Sequence, residues 1–593
     1  MVSLYIIEYL WYNILTRRNI EDNYLTMHKK DHIIVGISRV HNSAVTLLKN
    51  GEIVFHLENE RLSNIKYDAY VFQTLAKLPE YVDHVDDICI AGVGPTVPVE
   101  NFTKDNVYTT FIARLNKNFF AKDYNVYDLW NHHHKLHAAC AFYNSGFSQA
   151  VCVIKDGMGS DYQIADARFQ TGSYGRETST TFLASYPAVF EVVDKTISVP
   201  FEANVVIDDN VRVTNSISEA LAFQKTSKHF GFHELDAGKV MGMSSYGKST
   251  GTNPPIFKNN QVNTELFKPT QHDLRTVEVN TKIAPHLIDA DFTTQANFAY
   301  DLQQQTQAEI KSYILDMVEQ TGCKNVCLSG GYFLNCVANY EFLKDLPSDI
   351  NLYIEPISSD AGTSMGAAKL IWHEKTKDTT KRPQKTIYHG LKHNYTLDDI
   401  VKNLINEKSR IVTPADVAKL IADKNIVAIY QGASESGPRA LGNRSILYDP
   451  RDPNGKDHVN TVKHREWFRP FAGTILYEKT NEWFDLRGLH ESPYMMFAVD
   501  VLKDKQSLIP AITHVDGTCR VQTLKQETNP HFYTLIEEFY KLTNVPILFN
   551  TSFNLAGDCI VETIEDALNT IRKSTIKYLY LPEFSLLIQK ESI

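Results

Sequence analysis

The chain has 593 residues, 60 of them Lys or Arg and 70 Asp or Glu, for a net charge of −10, and 43% are hydrophobic. That length exceeds a single ordinary core, so two or more domains are expected. The acidic balance excludes a general polyanion-coating role and leaves only local basic pockets open.

The eight cysteines are scattered without a CxxC pair, which points to reduced thiols in a cytoplasm rather than a disulfide framework. The opening stretch MVSLYIIEYLWYNIL is apolar but carries Glu8 and spans about half a membrane. It lacks the basic start and cleavage site of a signal peptide. Met27 offers a second start, so residues 1–30 read as an N-terminal extension. No later segment reaches spanning length, and a soluble cytoplasmic protein with no membrane partner is expected, in a host cytoplasm if the chain is viral.

From residue 33 the pattern predicts a buried strand (33–37), a loop, a second strand (44–48), the turn Lys49, Asn50, Gly51 and a third strand (52–57). Domains of the actin/hexokinase ATPase type open in this way. NHHHKLHAAC (131–140) then packs His132, His133, His134 and His137 together. On a helix His133 and His137 share one face, one turn apart, where two imidazoles can hold one cation. Asp156 ends a predicted buried strand (150–157), and Asp360 lies in SSDAGTSMG, a loop opening a helix. Two histidines and two aspartates suit Fe²⁺, Mn²⁺ or Zn²⁺ with positions left for phosphate oxygens. The alternative is a solvated helix face with loop-capping aspartates.

AGKVMGMSSYG (237–247), with Lys239, reads as a glycine-dense loop, either hugging a ligand or a strained connector. A helix is predicted over 297–319. LSGGYFLN (328–335) sets Gly330 and Gly331 between strand and helix, where backbone N–H groups form an anion nest or merely a tight turn. Strands alternating with helices indicate an α/β domain over 31–373. The polar run 374–387 breaks all periodicity and reads as a linker to a mixed α/β region, 388–593. No internal repeat is visible.

The last region holds the densest unusual chemistry. GPRALGNRSILYDPR supplies Arg439, Asn443, Arg444 and Arg451, and VKHREWFRPFAG supplies Lys463, Arg465 and Arg469. HVDGTCRVQT adds His514, Asp516 and Arg520, and PILFNTSFN adds Asn550 and Ser552. Arginine forks bind phosphate bidentately, so a compact polyanion is expected, such as a nucleoside triphosphate with a second phosphate compound. The alternative is a salt-bridge network with Glu435, Asp449, Asp452 and Glu466.

Taken in order, GISRVHNSA, HHKLHAACAFYNSGF, GKVMGMSSYG, CLSGGYFLNCVAN, SSDAGTSMGAA, GPRALGNRSIL, KHREWFRPFA, SPYMMF, HVDGTCRVQT and NTSFN make the chain resemble the O-carbamoyltransferases typified by the nodulation-factor, cephamycin and tobramycin enzymes. The resemblance implies an N-terminal actin/hexokinase-like ATPase domain, similar to the threonylcarbamoyl-tRNA transferase subunit, and a C-terminal YrdC-like domain. It implies that the C-terminal domain makes carbamoyl adenylate from ATP, with Mg²⁺, and carbamoyl phosphate. The N-terminal domain would pass the carbamoyl group to an acceptor hydroxyl of a small molecule, a sugar or a modified nucleotide. Carried over by position, His133, His137, Asp156 and Asp360 are metal ligands, with Fe²⁺ first among the candidates. His41 is the catalytic histidine, which takes the hydroxyl proton, with Lys463 and Arg469 catalytic in adenylation. Arg439, Asn443, Arg444, Lys463, Arg469, His514, Arg520, Asn550 and Ser552 would hold carbamoyl phosphate and ATP. His134, Lys239, Gly330, Gly331 and Asn335 would contact the nucleotide in the N-terminal domain. A homodimer is compatible with the resemblance, and no stable nucleic-acid complex is expected. The chain departs from the family at GMSSYG, at RPFAGTI, and at Asn42, where Asp is usual after the histidine. Residues 171–213 carry no motif and are open to a part in acceptor selection. Competing classes are a kinase or ATPase of the same superfamily and a non-catalytic nucleotide-binding regulator.

Overall fold

In the computed structural model, which describes residues 31–591 apart from 94–101, 121–122, 165–167, 170–172 and 272, the chain opens with an antiparallel meander. It comprises β1 (Ile33–Arg39), β2 (Ala44–Lys49) and β3 (Glu52–Glu58). Asn50 and Gly51 join β2 to β3, both at positive φ, the two-residue hairpin turn that Asn-Gly favours. β4 (Asp87–Gly92) and β5 (Asn125–Asp128) then add in parallel beside β1, for the order β3-β2-β1-β4-β5.

The second sheet repeats the plan. β6 (Gln149–Lys155), β7 (Tyr174–Ser185) and β8 (Val189–Ser198) form a meander, and β9 (Asn325–Ser329) and β10 (Asn351–Ile354) add in parallel beside β6. The residues show no internal repeat, but two sheets of one order do, as an actin/hexokinase-type ATPase domain requires. Residues 171–213, without a motif, supply β7, β8 and two short strands at the sheet edge.

Helix α1 (His133–Ser145) packs on the second sheet, α2 (Gly362–Thr376) packs on the first, and the two helices meet between the sheets. Close approach is the condition for this layer. A Cβ on Gly366 would overlap the Leu136 carbonyl of α1, and one on Gly36 would overlap the Ser364 carbonyl of α2. The helix predicted over 297–319 spans Phe292–Thr321, with the Asp291 side chain accepting from the Thr294 amide at its start.

A ten-stranded mixed sheet from Lys408 to Gln589 forms the C-terminal part. One cluster of buried apolar side chains runs from Val151 to Ile588 through the second and third sheets. Residues from Ile33 onward accordingly form one compact unit. The expected linker is no free tether. Its backbone is held from both sides, with the Gln384 amide on the Asn144 carbonyl (2.8 Å), Tyr494 donating to the Gln384 carbonyl (3.1 Å) and the Ser436 amide on the Ile387 carbonyl (2.7 Å). One correction falls at 237–247. The expected loop is mostly a helix, Ala237–Ser244, because Val240 and Met243 turn a buried apolar face inward despite the glycines. The extension 1–30 lies outside the described residues. Among the described residues no helix is long and apolar enough to cross a membrane.

Candidate active site

The helical spacing sets His133 and His137 on the inner face of α1, with Nε2 atoms 3.2 Å apart. Asp156 follows β6, and Asp360 lies just before α2. His133 Nε2 stands 3.3 Å from Asp156 Oδ2 and 3.5 Å from Asp360 Oδ1, and His137 Nε2 stands 3.5 Å from the same Asp360 oxygen. All four donor atoms lie within 4.8 Å of one another and all four residues are buried.

Burial opposes charge on His133, yet Asp360 and Asp156 overcome it and lift its imidazole to about 10. Burial and Asp360 likewise oppose charge on Asp156, and the two histidines nonetheless hold it low. Asp360 is held well below the carboxylate range against burial, first by His41 and then by His133. Two ionised carboxylates and two converging imidazoles fit a divalent cation. Metal–ligand bonds of about 2.0–2.2 Å place neighbouring donors roughly 3.0–3.5 Å apart, and four donor pairs here stand 3.2, 3.3, 3.5 and 3.5 Å apart. His41 Nε2 lies 3.7 Å from Asp360 Oδ2, and its side chain is 43% exposed.

Gly330 has φ +100°, and a Cβ there would overlap the Lys155 carbonyl, so the turn after β9 needs glycine. The turn does not offer Gly331 as a free anion nest, because its amide donates to Asp156 Oδ1 (3.0 Å) and fixes that carboxylate. Asn335, also expected on a nucleotide, caps the next helix through Ala338 and exchanges hydrogen bonds with Gln303. His134 points away from its two neighbours. Its Nδ1 meets Thr180 Oγ1 at 2.9 Å, and burial pulls it down to about 4 although Glu177 opposes this. His132 is exposed.

In the C-terminal part Arg439, Arg465, Arg469 and Arg520 act on one another electrostatically. Burial and then Arg520 pull Arg439 down to about 9, and burial, Arg469 and Arg520 depress Arg465 well below its usual range. Lys463 is buried and depressed by burial, Arg465 and Arg469, and it donates to Asn554 Oδ1 (3.0 Å) and to the Ser552 carbonyl. The acid nearest them, Glu466, is shared. It meets Lys239 Nζ at 2.7 Å and Arg469 at 3.6 Å. Lys239, expected as a nucleotide contact, sits at the rim of this cluster, bridging Asp236 and Glu466.

Four residues expected on the ligand are held by hydrogen bonds within the protein. Arg444 is fully buried, lies 3.9 Å over the Tyr430 ring and donates to the Gln431, Gly432, Asn443 and Glu562 carbonyls. Asn443 bonds the Ala433 carbonyl and Asn529, and the Asn550 amide bonds the Ala440 carbonyl and Thr474. His514 meets the Phe471 carbonyl (2.9 Å) and Thr518, and burial lowers it. Glu435, first read only as a salt-bridge partner, organises the loop. Its Oε1 accepts from the Leu441, Asn443 and Arg444 amides, which shapes GPRALGNR around one buried carboxylate. The buried acid ahead of a glycine-rich turn was its only signal.

The two clusters are neighbours. Arg439 Nη2 donates to the Leu334 carbonyl (3.0 Å), at the end of the turn whose Gly331 holds Asp156.

Comparison with known proteins bears on this pair of clusters. Residues 80–369 match the carbamoyltransferase N-terminus and 418–589 the carbamoyltransferase C-terminus. Nodulation protein NolO of Bradyrhizobium diazoefficiens is 31% identical over 76% of this chain and 78% of its own length. Nodulation protein NolNO of Sinorhizobium fredii is 29% identical over 93% and 79%. An uncharacterized protein of Methanocaldococcus jannaschii is 30% identical over 91% and 93%. Among solved structures, full-length HypF in its phosphate- and nucleotide-bound form aligns with 58% of this chain and 55% of its own at 12% identity. Its TM-score is 0.34, a likeness too loose to carry an argument. With both family segments matched in order and relatives covered along most of their length, this chain belongs to the carbamoyltransferase family.

Proposed function

We propose that the chain is an ATP-dependent O-carbamoyltransferase with two connected sites, adenylation in 388–593 and transfer in 31–373. In the first, carbamoyl phosphate, water and ATP give carbamoyl adenylate, phosphate and pyrophosphate. Arg439, Arg465, Arg469 and Arg520 receive the phosphate oxygens and stabilise charge on the departing pyrophosphate. Lys463 holds the Ser552–Asn554 loop beside them.

In the second site the acceptor hydroxyl attacks the carbamoyl carbon, and AMP leaves. His41 Nε2 takes the hydroxyl proton. His133, His137, Asp156 and Asp360 would hold a divalent cation, Fe²⁺ before Mn²⁺ or Zn²⁺, which would supply positive charge beside the adenylate phosphate. The Gly331 amide and the buried flanks of α1 and α2 keep those four side chains in place.

The gathering of four arginines, three of them depressed first by burial, with Glu466 and Asp236 as the acids that act on them, carries this reading. Such a cluster is at rest only around a polyanion. Incubating the protein with ATP and carbamoyl phosphate should release pyrophosphate and yield carbamoyl adenylate. ATP consumption indifferent to carbamoyl phosphate would sink the reading.

A further inference from the structure

The carboxyl ends of the parallel strands β1, β4 and β5 lie at one end of the first sheet, the usual ligand position in sheets of this kind. β1 ends at Arg39, and His41 follows two residues later. β4 ends at Gly92, which pairs in register with Arg39. β5 ends at Asp128 and leads through Trp130 into α1 and the cation centre. Trp130 lies flat against Gly92, where any Cβ would overlap the indole, and its Nε1 is buried without a partner.

Arg39 is exposed, yet its guanidinium lies 5.5 Å over the Trp130 ring. It makes no ion pair with a described residue. Asp128, at the end of β5, accepts from the Trp130 amide (3.1 Å) and the Phe102 amide (3.0 Å). The other carboxylates on this side, Asp156 and Asp360, belong to the cation centre. A guanidinium laid on an indole keeps its N–H fork pointing outward, the geometry that receives an oxyanion bidentately. The same indole, backed by Phe102 at 5.8 Å, offers an edge to a ring.

We propose that this end of the first sheet is the acceptor subsite, with Arg39 receiving the phosphate of a phosphorylated ring alcohol, a nucleotide or a sugar phosphate, while His41 faces its free hydroxyl. The assignment rests on the transferase reading above and names the acceptor class for it.

The test is calorimetric binding to the full chain of thymidine 5′-monophosphate and glucose 6-phosphate, each beside its unphosphorylated counterpart. At least one phosphate ester should bind more tightly than its counterpart, and which one does so separates nucleotide from sugar. Arg39→Gln should weaken that binding about ten- to a hundredfold, and Arg39→Lys should weaken it less. Arg469→Ala should leave it unchanged, which keeps the arginine cluster out of the signal. Pyrophosphate release from ATP and carbamoyl phosphate should survive Arg39→Gln, which also certifies the fold. Equal binding of both forms, or full binding by Arg39→Gln, overturns the proposal. Loss of pyrophosphate release in Arg39→Gln would place Arg39 on the adenylate and overturn it as well. A wild type that releases no pyrophosphate sinks the transferase reading alone, because binding still decides Arg39.

Discussion

Arg444→Met separates a scaffold from a ligand site. The guanidinium bonds four carbonyls, and two of them keep other partners, since Glu562 O also accepts from Tyr430 and Asn443 O from the Gln431 amide. Gln431 O and Gly432 O depend on Arg444 among the described residues. An orphaned buried carbonyl costs about 1–3 kcal/mol, less for Gly432, which water can reach. Loss of the stack on Tyr430 adds about 1 kcal/mol, and Glu562, fully buried, loses one of the cations that hold it ionised. The total is about 3–5 kcal/mol, or a fall of on the order of 10 °C in the apparent Tm of this part of the chain. Differential scanning fluorimetry reads the Tm, and pyrophosphate release reads adenylation in the protein that stays folded at low temperature. An unchanged Tm together with lost adenylation would refute the argument and return Arg444 to the phosphates.

Arg439→Ala should do the reverse. Its Nε has no partner among the described residues and its Nη2 makes one hydrogen bond, to the Leu334 carbonyl, so stability should fall by about 1 kcal/mol while adenylate formation falls at least a hundredfold; a much larger Tm loss would contradict this. His137→Ala should take bound metal, measured by plasma mass spectrometry, from stoichiometric to a small fraction, with adenylation intact. Metal content equal to wild type would remove His137 from the centre. Glu58, buried beside Glu60, is raised to about 7 by burial and then by that neighbour, from 4.5 unfolded. Ionising it costs the folded state, so stability present below pH 4.5 is lost as pH rises through about 7, by roughly 3 kcal/mol. Glu58→Gln should flatten that slope in denaturant titrations at about pH 5 and pH 8, and an unaltered slope would count against the assignment.

Some of this was legible in the residues. The Asn50-Gly51 hairpin and the helical spacing of His133 and His137 are local signals, and local signals survive folding. That Asp156 and Asp360 would join those histidines rested on the family resemblance, because no spacing encodes contacts between positions 204 apart in the chain. The arginine cluster was visible as composition, but composition could not rank its members. Arg439 and Arg444 stand five apart in one motif, and only packing shows one facing a cluster and the other filling the core. The helix Ala237–Ser244 was obscured by its glycines, whose low propensity tertiary burial overrode. The repeated sheet plan escaped detection because strand order constrains polarity patterns and not residue identity.

Gly36 and Gly366 touch no substrate, no metal and no charged group. They nonetheless set how near α2 can stand to β1 and to α1, and hence whether Asp360 arrives opposite His133 and His137. In a saturation substitution scan these two positions should score with the cation centre itself, alanine included. The tolerance of this fold to drift is thus narrowest where its side chains are smallest.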